Sequence, residues 1–326
     1  MKVLLTGASG FVGSHILDSL QARGVATAIL LRPTSEKGFI QQHLESAEIR
    51  MGSIGDTASL QTALEGITHV IHCAGLTKAR RISEFYEVNR LGTRNLVAAA
   101  NAREGQIQRF VHVSSLAAAG PATRDQPARE KDAPRPVSDY GKSKLAGELE
   151  VREHCRVPFV VVRPPAVYGP RDYGFLSLFK AVSRHLLPRP SARQELSLVF
   201  VKDLAEAIVA CLEHPAAPGK VYFAAAKEVV TSRAMAEAIA LQANHWTIPF
   251  PLPTAMLWSA CFVQQLRSGM TGKASLLNLQ KFAELRAPGW VCDPSLLERE
   301  IGFVCKTTLD QGVAQTRDWY ARHGWI

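Results

Sequence analysis

The chain has 326 residues, 47% apolar, 21% charged and 7% aromatic, and Lys plus Arg exceed Asp plus Glu by 38 − 29 = 9. That length and apolar content suffice for one large domain or two unequal ones, and they exclude disordered, collagen-like and coiled-coil chains. The positive surplus admits nucleic acid, membrane lipid or a phosphorylated small molecule as partner, but the densest basic stretch, Arg124 to Arg135, also holds Asp125, Glu130 and Asp132 and carries no interleaved aromatics, so nucleic acid is not expected.

Strand and helix signals alternate through the first half. Val3–Leu5 is a short apolar run ended by Thr6-Gly7, Phe11–Ala22 has helical spacing, and Ala26–Leu31 is an unbroken apolar run. Strand signals recur at Ala47–Met51, Thr68–Cys73, Phe110–Val113 and Phe159–Val162, with helical segments at Asp56–Leu64, Phe85–Ala102 and Tyr140–His154 between them. Runs apolar on both faces suit strands buried on both sides, and the βα alternation predicts an α/β Rossmann fold, a doubly wound parallel sheet. Beyond Pro164 prolines interrupt the rhythm, although Ser197–Val201 and Lys220–Ala224 still read as strands and Asp203–Leu212 as a helix. The expected division is a dinucleotide-binding domain over 1–165, with returning segments at about 198–226, and a smaller α+β substrate-binding cap over 166–197 and 227–326.

Six cysteines, Cys73, Cys155, Cys211, Cys261, Cys292 and Cys305, lie far apart with no C-x-x-C pair and no histidine at metal-ligand spacing. They read as buried thiols of a reducing compartment, with no metal expected. Met1–Gly7 runs directly into a strand without room for a signal peptide, and the apolar stretch Pro253–Val263 is too short for a membrane span. A cytoplasmic protein without stable membrane insertion is expected. The segment Thr254–Val263 is read as a packing helix or a lid of the cap, because it lacks the basic polar face of a membrane-surface helix. His69 and His72, three apart on one strand, point to opposite faces and read as structural.

Between the first strand and the first helix stands Thr6-Gly7-Ala8-Ser9-Gly10-Phe11-Val12-Gly13. Glycines at this spacing let the backbone turn tightly and approach a pyrophosphate, while the helix start supplies free N–H groups. After the second strand, where a carboxylate would bind an adenosine ribose, the chain has Arg32-Pro33-Thr34-Ser35 and then Lys37. A guanidinium pairs well with a 2′-phosphate, so Arg32, Ser35 and Lys37 predict NADP(H) in preference to NAD(H). Tyr140 and Lys144, four apart on one helix face, form a candidate acid/base pair in which an ammonium lowers the phenol into a useful range. Val113-Ser114-Ser115 ends the fifth strand, at the edge where a doubly wound sheet holds its active site.

With these pieces assembled, the chain resembles the extended short-chain dehydrogenase/reductase family of nucleotide-sugar epimerases and dehydratases, nearest in character to dihydroflavonol reductases and 3β-hydroxysteroid dehydrogenases. The motifs that carry the resemblance are Thr6–Gly13, His72-Cys73-Ala74-Gly75, Val88–Thr93, Val113–Ser115, Tyr140–Lys144 and Arg163–Pro170. The resemblance implies that Tyr140 is the acid/base, that Lys144 holds the nicotinamide ribose, and that Ser115, rather than Ser114, bonds the reacting oxygen. It implies that Cys73, Ala74 and Gly75 line the cofactor together with Val113, that Asn89 braces it, and that Pro164, Ala166 and Val167 pack near the nicotinamide. Leu76 and Tyr168 are candidate substrate contacts, and a homodimer through the helices at 85–102 and 140–154 is implied. Epimerases of this family commonly have Asn where Ala166 stands and an Arg-Asp-aromatic-x-His pattern where Leu196–Phe200 stands; Ser53 replaces a frequent adenine-contacting Asp. A pocket without those polar groups suits an apolar ketone or secondary alcohol. The two other readings are an epimerase or dehydratase that retains NAD, and a non-catalytic dinucleotide-binding module.

Overall fold

In the computed structural model residues 1–190, 194–243, 245–253 and 279–326 are described. The expected helix at Thr254–Val263, with Cys261, lies outside them. The first half runs β1 (Lys2–Thr6), α1 (Phe11–Ala22), β2 (Ala26–Leu31), β3 (Glu48–Met51), α2 (Thr57–Ala63), β4 (His69–His72), α3 (Ile82–Tyr86), a π-helical turn (Glu87–Gly92), α4 (Thr93–Asn101), β5 (Arg109–Val113), α5 (Leu116–Ala119), α6 (Asp139–His154) and β6 (Phe159–Arg163). The second half adds β7 (Ala166–Tyr168), α7 (Leu176–Ser183), β8 (Leu186–Pro190), β9 (Glu195–Phe200), α8 (Val201–Glu213), β10 (Lys220–Phe223), β11 (Val229–Thr231), α9 (Ser232–Ala243) and β12 (Ile248–Leu252). Three later helices, Leu279–Arg286, Ser295–Ile301 and Leu309–Arg322, and a short strand, Gly289–Trp290, follow.

Seven strands form one parallel sheet in the order β3-β2-β1-β4-β5-β6-β10. The order reverses between β1 and β4, and ligands bind outside the carboxyl ends of strands at such a point. The strands are apolar on both faces because each face is covered. Val3, Leu5, Ile29, Ile71, Val111, Val160 and Val162 pack with Ile16, Leu20, Leu204 and Ile208 of α1 and α8. Leu4, Val70, Phe110 and Val161 pack on the other side with Leu60, Leu96, Val97 and Val151. Burying one such aliphatic side chain stabilises by about 1.5–3 kcal/mol, so two such layers hold the sheet rigid beneath the site.

The predicted strand at Ser197–Val201 is β9, and it lies in the smaller four-stranded sheet with β7, β11 and Gly289–Trp290. The elements that return to the large sheet are α8, packed on α1, and β10, paired with β6. The predicted single helix at Phe85–Ala102 is interrupted by the π-helical turn at Glu87–Gly92. Such turns add a residue to the helix and recur at functional sites. No described helix is long and apolar enough to cross a membrane.

Candidate active site

The cradle for a dinucleotide is built at the end of β1. Gly7 has φ +77, and a Cβ there would lie 2.6 Å from the Ala74 nitrogen; a Cβ on Gly13 would lie 2.0 Å from the Gly7 oxygen. The loop is therefore pressed between α1 and the Cys73–Gly75 segment with no room for side chains. Gly10 caps α1 in an extended conformation without a side-chain acceptor, which leaves first-turn N–H groups for an anion. Thr6 ties the neighbouring loops together: its Oγ1 bonds His72 Nδ1 at 2.8 Å and accepts from the Ala74 N–H at 3.3 Å. Ser9, Phe11 and Val12 are half-buried around this turn. These features fit a dinucleotide pyrophosphate. At the end of β2, Arg32 and Lys37 are exposed, and the Arg32 N–H donates to Ser35 Oγ at 3.0 Å.

The chemistry-bearing side chains converge at the ends of β4 and β5. Ser138 caps α6 by accepting from the Gly141 N–H at 3.1 Å, which starts the helix so that Tyr140 and Lys144 share a face. Tyr140 stands close enough to Ser115 for that hydroxyl to lower its pKa, and its ring packs 6.0 Å from the Phe85 ring. Ser115 caps α5, its Oγ accepting from the Ala117 N–H at 3.1 Å. Ser114 faces elsewhere and donates to Glu148, which is buried and held bidentately by Arg163 at 2.9 and 2.6 Å. Of the two serines, Ser115 is the one brought to Tyr140.

Lys144 Nζ donates to the Val113 carbonyl at 2.8 Å, and burial lowers its pKa to about 8, with Cys73 and Glu148 opposing that shift. Burial pushes Tyr140 up to about 12; the Ser115 hydrogen bond works against this, and Glu284 and Cys73 add to it. In this structure burial raises the Tyr140 phenol while the Lys144 ammonium is directed at the Val113 carbonyl.

Asn89, on the π-helical turn, holds the loop beside the cofactor cradle. Its Oδ1 accepts from the Leu76 N–H at 2.8 Å, and its Nδ2 donates to the Leu76 carbonyl at 3.0 Å and to Ser143 Oγ at 2.9 Å. It therefore links α6 to the Cys73–Leu76 segment, and a Cβ on Gly75 would stand 3.1 Å from Asn89 Oδ1 and 3.6 Å from Lys144 Nζ. The Pro164 carbonyl accepts from the Leu116 N–H at 2.8 Å, which sets β6's end beside Ser115, and Ala166 and Val167 follow, half-buried, on β7. Tyr168 is a correction. Its ring is buried against Phe175, Phe200 and Gly312 in a separate apolar cluster formed by β7, β9, α7, α9 and the helix Leu309–Arg322, so packing rather than substrate occupies it. His72 is buried between Thr6 and Thr93, its Nε2 bonding Thr93 Oγ1 at 2.9 Å, in keeping with a structural role.

One side chain at this site had no signal in the sequence. Glu284, on the helix Leu279–Arg286, is buried and accepts from Ser138 Oγ at 2.6 Å across 146 residues of chain. A lone acid in an otherwise ordinary helical segment gives no periodicity or spacing by which it could have been singled out.

A parallel sheet with a glycine cradle at its reversal point and Ser115, Tyr140 and Lys144 beside it defines a nicotinamide-dependent oxidoreductase of the extended short-chain dehydrogenase/reductase type. The chain belongs to the NAD dependent epimerase/dehydratase family, whose model matches residues 3–225. It is 33% identical to a ceramide reductase of Caulobacter vibrioides, over 99% of this chain and 96% of that protein. It is 29% identical to a UDP-glucose 4-epimerase of Vibrio cholerae, over 97% and 94%. It is 28% identical to a 4-hydroxy-2-methyl-3-oxo-4-farnesyl-3,4-dihydroquinoline-1-oxide ketoreductase of Stigmatella aurantiaca, over 97% and 96%. Among solved structures, the UDP-glucose 4-epimerase of Thermus thermophilus in complex with NAD shares the fold with a TM-score of 0.77 at 24% identity, covering 98% of this chain and 99% of that one.

Proposed function

We propose that this enzyme interconverts a ketone and a secondary alcohol on an apolar, long-chain substrate, with NADP(H) preferred over NAD(H). The observation that carries the reading is Ser115 placed beside Tyr140, with buried Lys144 one turn along α6, at the mouth of the glycine cradle. Support for the substrate class comes from Ala166, Leu196, Ser197 and Phe200, where family members that handle nucleotide sugars commonly carry Asn, Arg, Asp and His. Relatives named for ceramide and for a farnesylated quinoline point the same way. Support for NADP(H) comes from exposed Arg32, with the Ser35 hydroxyl on its backbone and no carboxylate in its place.

When bound, the nicotinamide supplies the hydride in reduction and takes it up in oxidation. Tyr140 donates its Oη proton to the substrate oxygen during reduction and recovers it during oxidation, a role that contributes about 10²–10⁴-fold. Ser115 donates a hydrogen bond to the same oxygen as negative charge develops there. Lys144 supports the nicotinamide ribose from the floor of the pocket, while Asn89 keeps the Cys73–Leu76 segment against it. Leu76 is assigned to the substrate side of that segment. A cytoplasmic homodimer through α3, α4 and α6 completes the reading; exposed Leu149 gives α6 an apolar side chain to bury there.

The resemblance to a UDP-glucose 4-epimerase favours a second reading, a retained NAD that oxidises a sugar transiently. Fluorescence energy transfer from tryptophan to NADPH or NADH, followed by a panel of ketones from polar sugars to steroids and long-chain amides, separates the two. Tight NADPH, weak NADH and turnover of apolar ketones are expected. Protein that purifies with NAD and ignores NADPH overturns the proposal in favour of the epimerase. Tyr140→Phe is expected to abolish turnover while leaving NADPH binding within about twofold of wild type; an active variant removes Tyr140 from the mechanism.

A further inference from the structure

His72 ends β4 beneath the cofactor cradle, and its two ring nitrogens meet different elements. Nδ1 lies 2.8 Å from Thr6 Oγ1, at the end of β1, and Nε2 lies 2.9 Å from Thr93 Oγ1, at the start of α4. The neighbours decide where the protons stand. Thr93 Oγ1 is 2.7 Å from the Asn89 carbonyl, a group that only accepts, so the Thr93 hydroxyl commits its one proton there. His72 Nε2 must therefore carry the ring proton and donate it to Thr93, which leaves Nδ1 to accept from the Thr6 hydroxyl. Thr6 Oγ1 in turn accepts from the Ala74 N–H. Burial keeps the ring neutral, its pKa lowered to about 3, and the Lys144 ammonium acts in the same direction. His112, whose ring lies 5.3 Å away on β5, has no hydrogen-bonding partner among the described residues and competes for neither nitrogen.

The order of donors continues through Asn89. Its Nδ2 donates to Ser143 Oγ, and that hydroxyl donates to the Tyr140 carbonyl at 2.8 Å. Gly147 lets α6 lie against the same joint: a Cβ there would stand 2.3 Å from the Asn89 oxygen and 3.3 Å from Thr93 Oγ1. From the Ala74 N–H to the Tyr140 carbonyl, each group donates onward in one direction, and His72 joins the cradle side of that series to the helix side. We propose that His72, fixed as its neutral Nε2–H tautomer, is a positioning residue that couples the cofactor cradle to the catalytic turn of α6. Its Nδ1 leg holds Thr6 and Ala74 against the cofactor, and its Nε2 leg holds Thr93, Asn89 and, through Ser143, the main chain of Tyr140. The inference rests on the reading of Gly7–Gly13 as the cradle and of Tyr140 as the acid/base. The other tautomer would turn a lone pair of Nε2 toward a Thr93 hydroxyl whose proton is already committed, and a buried bond left unmade in this way is costly.

The test reads the tautomer and then separates the two legs. Imidazole ¹⁵N shifts in the whole protein, with the His72 signals identified by their loss in His72→Gln, are expected to show a pyridine-type Nδ1 and a pyrrole-type Nε2. Glutamine places an amide nitrogen near the position of Nε2 and nothing at Nδ1, whereas asparagine places an oxygen near Nδ1 and nothing at Nε2. His72→Gln is therefore expected to raise the Kd for NADPH, or for NADH where that binds tighter, by roughly three- to tenfold, the worth of one hydrogen bond, and to lower kcat by a smaller factor. His72→Asn is expected to reverse the order, lowering kcat on the best ketone of the panel by roughly three- to tenfold and raising Kd by less. Thr93→Val, which cuts the Nε2 leg from its far side, is expected to follow His72→Asn, and Thr93→Ser, which keeps the hydroxyl, to regain most of that loss. A pyrrole-type Nδ1 overturns the proposal. Parallel losses in Kd and kcat in both His72 variants also overturn it, since they would mark a general loosening of the sheet. Should a His72 variant fail to fold, the Thr93 pair decides the question: Thr93→Ser no better than Thr93→Val overturns the coupling. Full turnover in Tyr140→Phe would instead overturn the acid/base reading and leave the tautomer and the Kd order standing, so the two failures are distinguishable.

Discussion

Ser115 and Ser114 are adjacent in the chain and face different partners: Ser115 caps α5 and lies beside Tyr140, whereas Ser114 is bonded to buried Glu148. Ser115→Ala is accordingly expected to lower kcat by about 10²-fold with stability nearly unchanged, the usual cost of removing one donor to a developing oxyanion. Ser114→Ala is expected to keep kcat within a fewfold and to cost about 1–3 kcal/mol in urea denaturation, because a buried carboxylate loses a donor. Reversal of these two outcomes would assign Ser114 to the reaction.

Glu148 and Arg163 are 0% and 1% exposed at their side chains and sit between α6 and β6. Breaking such a pair from one side leaves an uncompensated buried charge, so Glu148→Ala is expected to destabilise by about 3–5 kcal/mol. The double variant Glu148→Leu/Arg163→Met is expected to recover most of that loss. Equal stability of the single variant and the wild type would show that the guanidinium finds another partner.

Lys144 offers a pH signature. Its folded pKa of about 8 lies below the unfolded value near 10.5. Between these values the unfolded chain binds more protons, so the burial cost is complete below pH 8 and disappears as pH rises toward 10.5. Relative to Lys144→Met, the wild type is expected to gain about 3 kcal/mol between pH 7 and pH 10.5, less whatever water reaches the site. The comparison cancels the lost Val113 hydrogen bond, which is common to both pH values. Parallel stability curves for the two proteins would mean that the ammonium is not desolvated.

The glycine cradle discriminates its own members. A Cβ on Gly13 would meet the Gly7 oxygen at 2.0 Å, whereas one on Gly10 would meet it at 3.3 Å. Gly13→Ala is expected to cost about 1–3 kcal/mol and to abolish NADPH binding in the energy-transfer titration. Gly10→Ala is expected to fold normally and to weaken NADPH binding severalfold. Equal effects of the two would mean that the loop moves as a unit.

What the sequence determined by itself is what short-range pattern encodes. The strands at β1, β2, β4, β5 and β6 were legible because a strand buried on both faces must be apolar throughout. The cradle was legible because its glycines answer to a local turn, and the Tyr140/Lys144 pair because a spacing of four is one helix turn. The interruption of 85–102 by a π-helical turn was not legible, since its periodicity differs from an α-helix by a single residue. Only the tertiary structure decided which serine lies beside Tyr140, that Asn89 braces a loop, and that Tyr168 packs in the apolar cluster with Phe179 and Phe200. It alone showed that Lys144 is bonded to the Val113 carbonyl and that Glu284 arrives from far along the chain. These outcomes depend on desolvation and on contacts between distant segments, and neither has a period or a spacing in the chain.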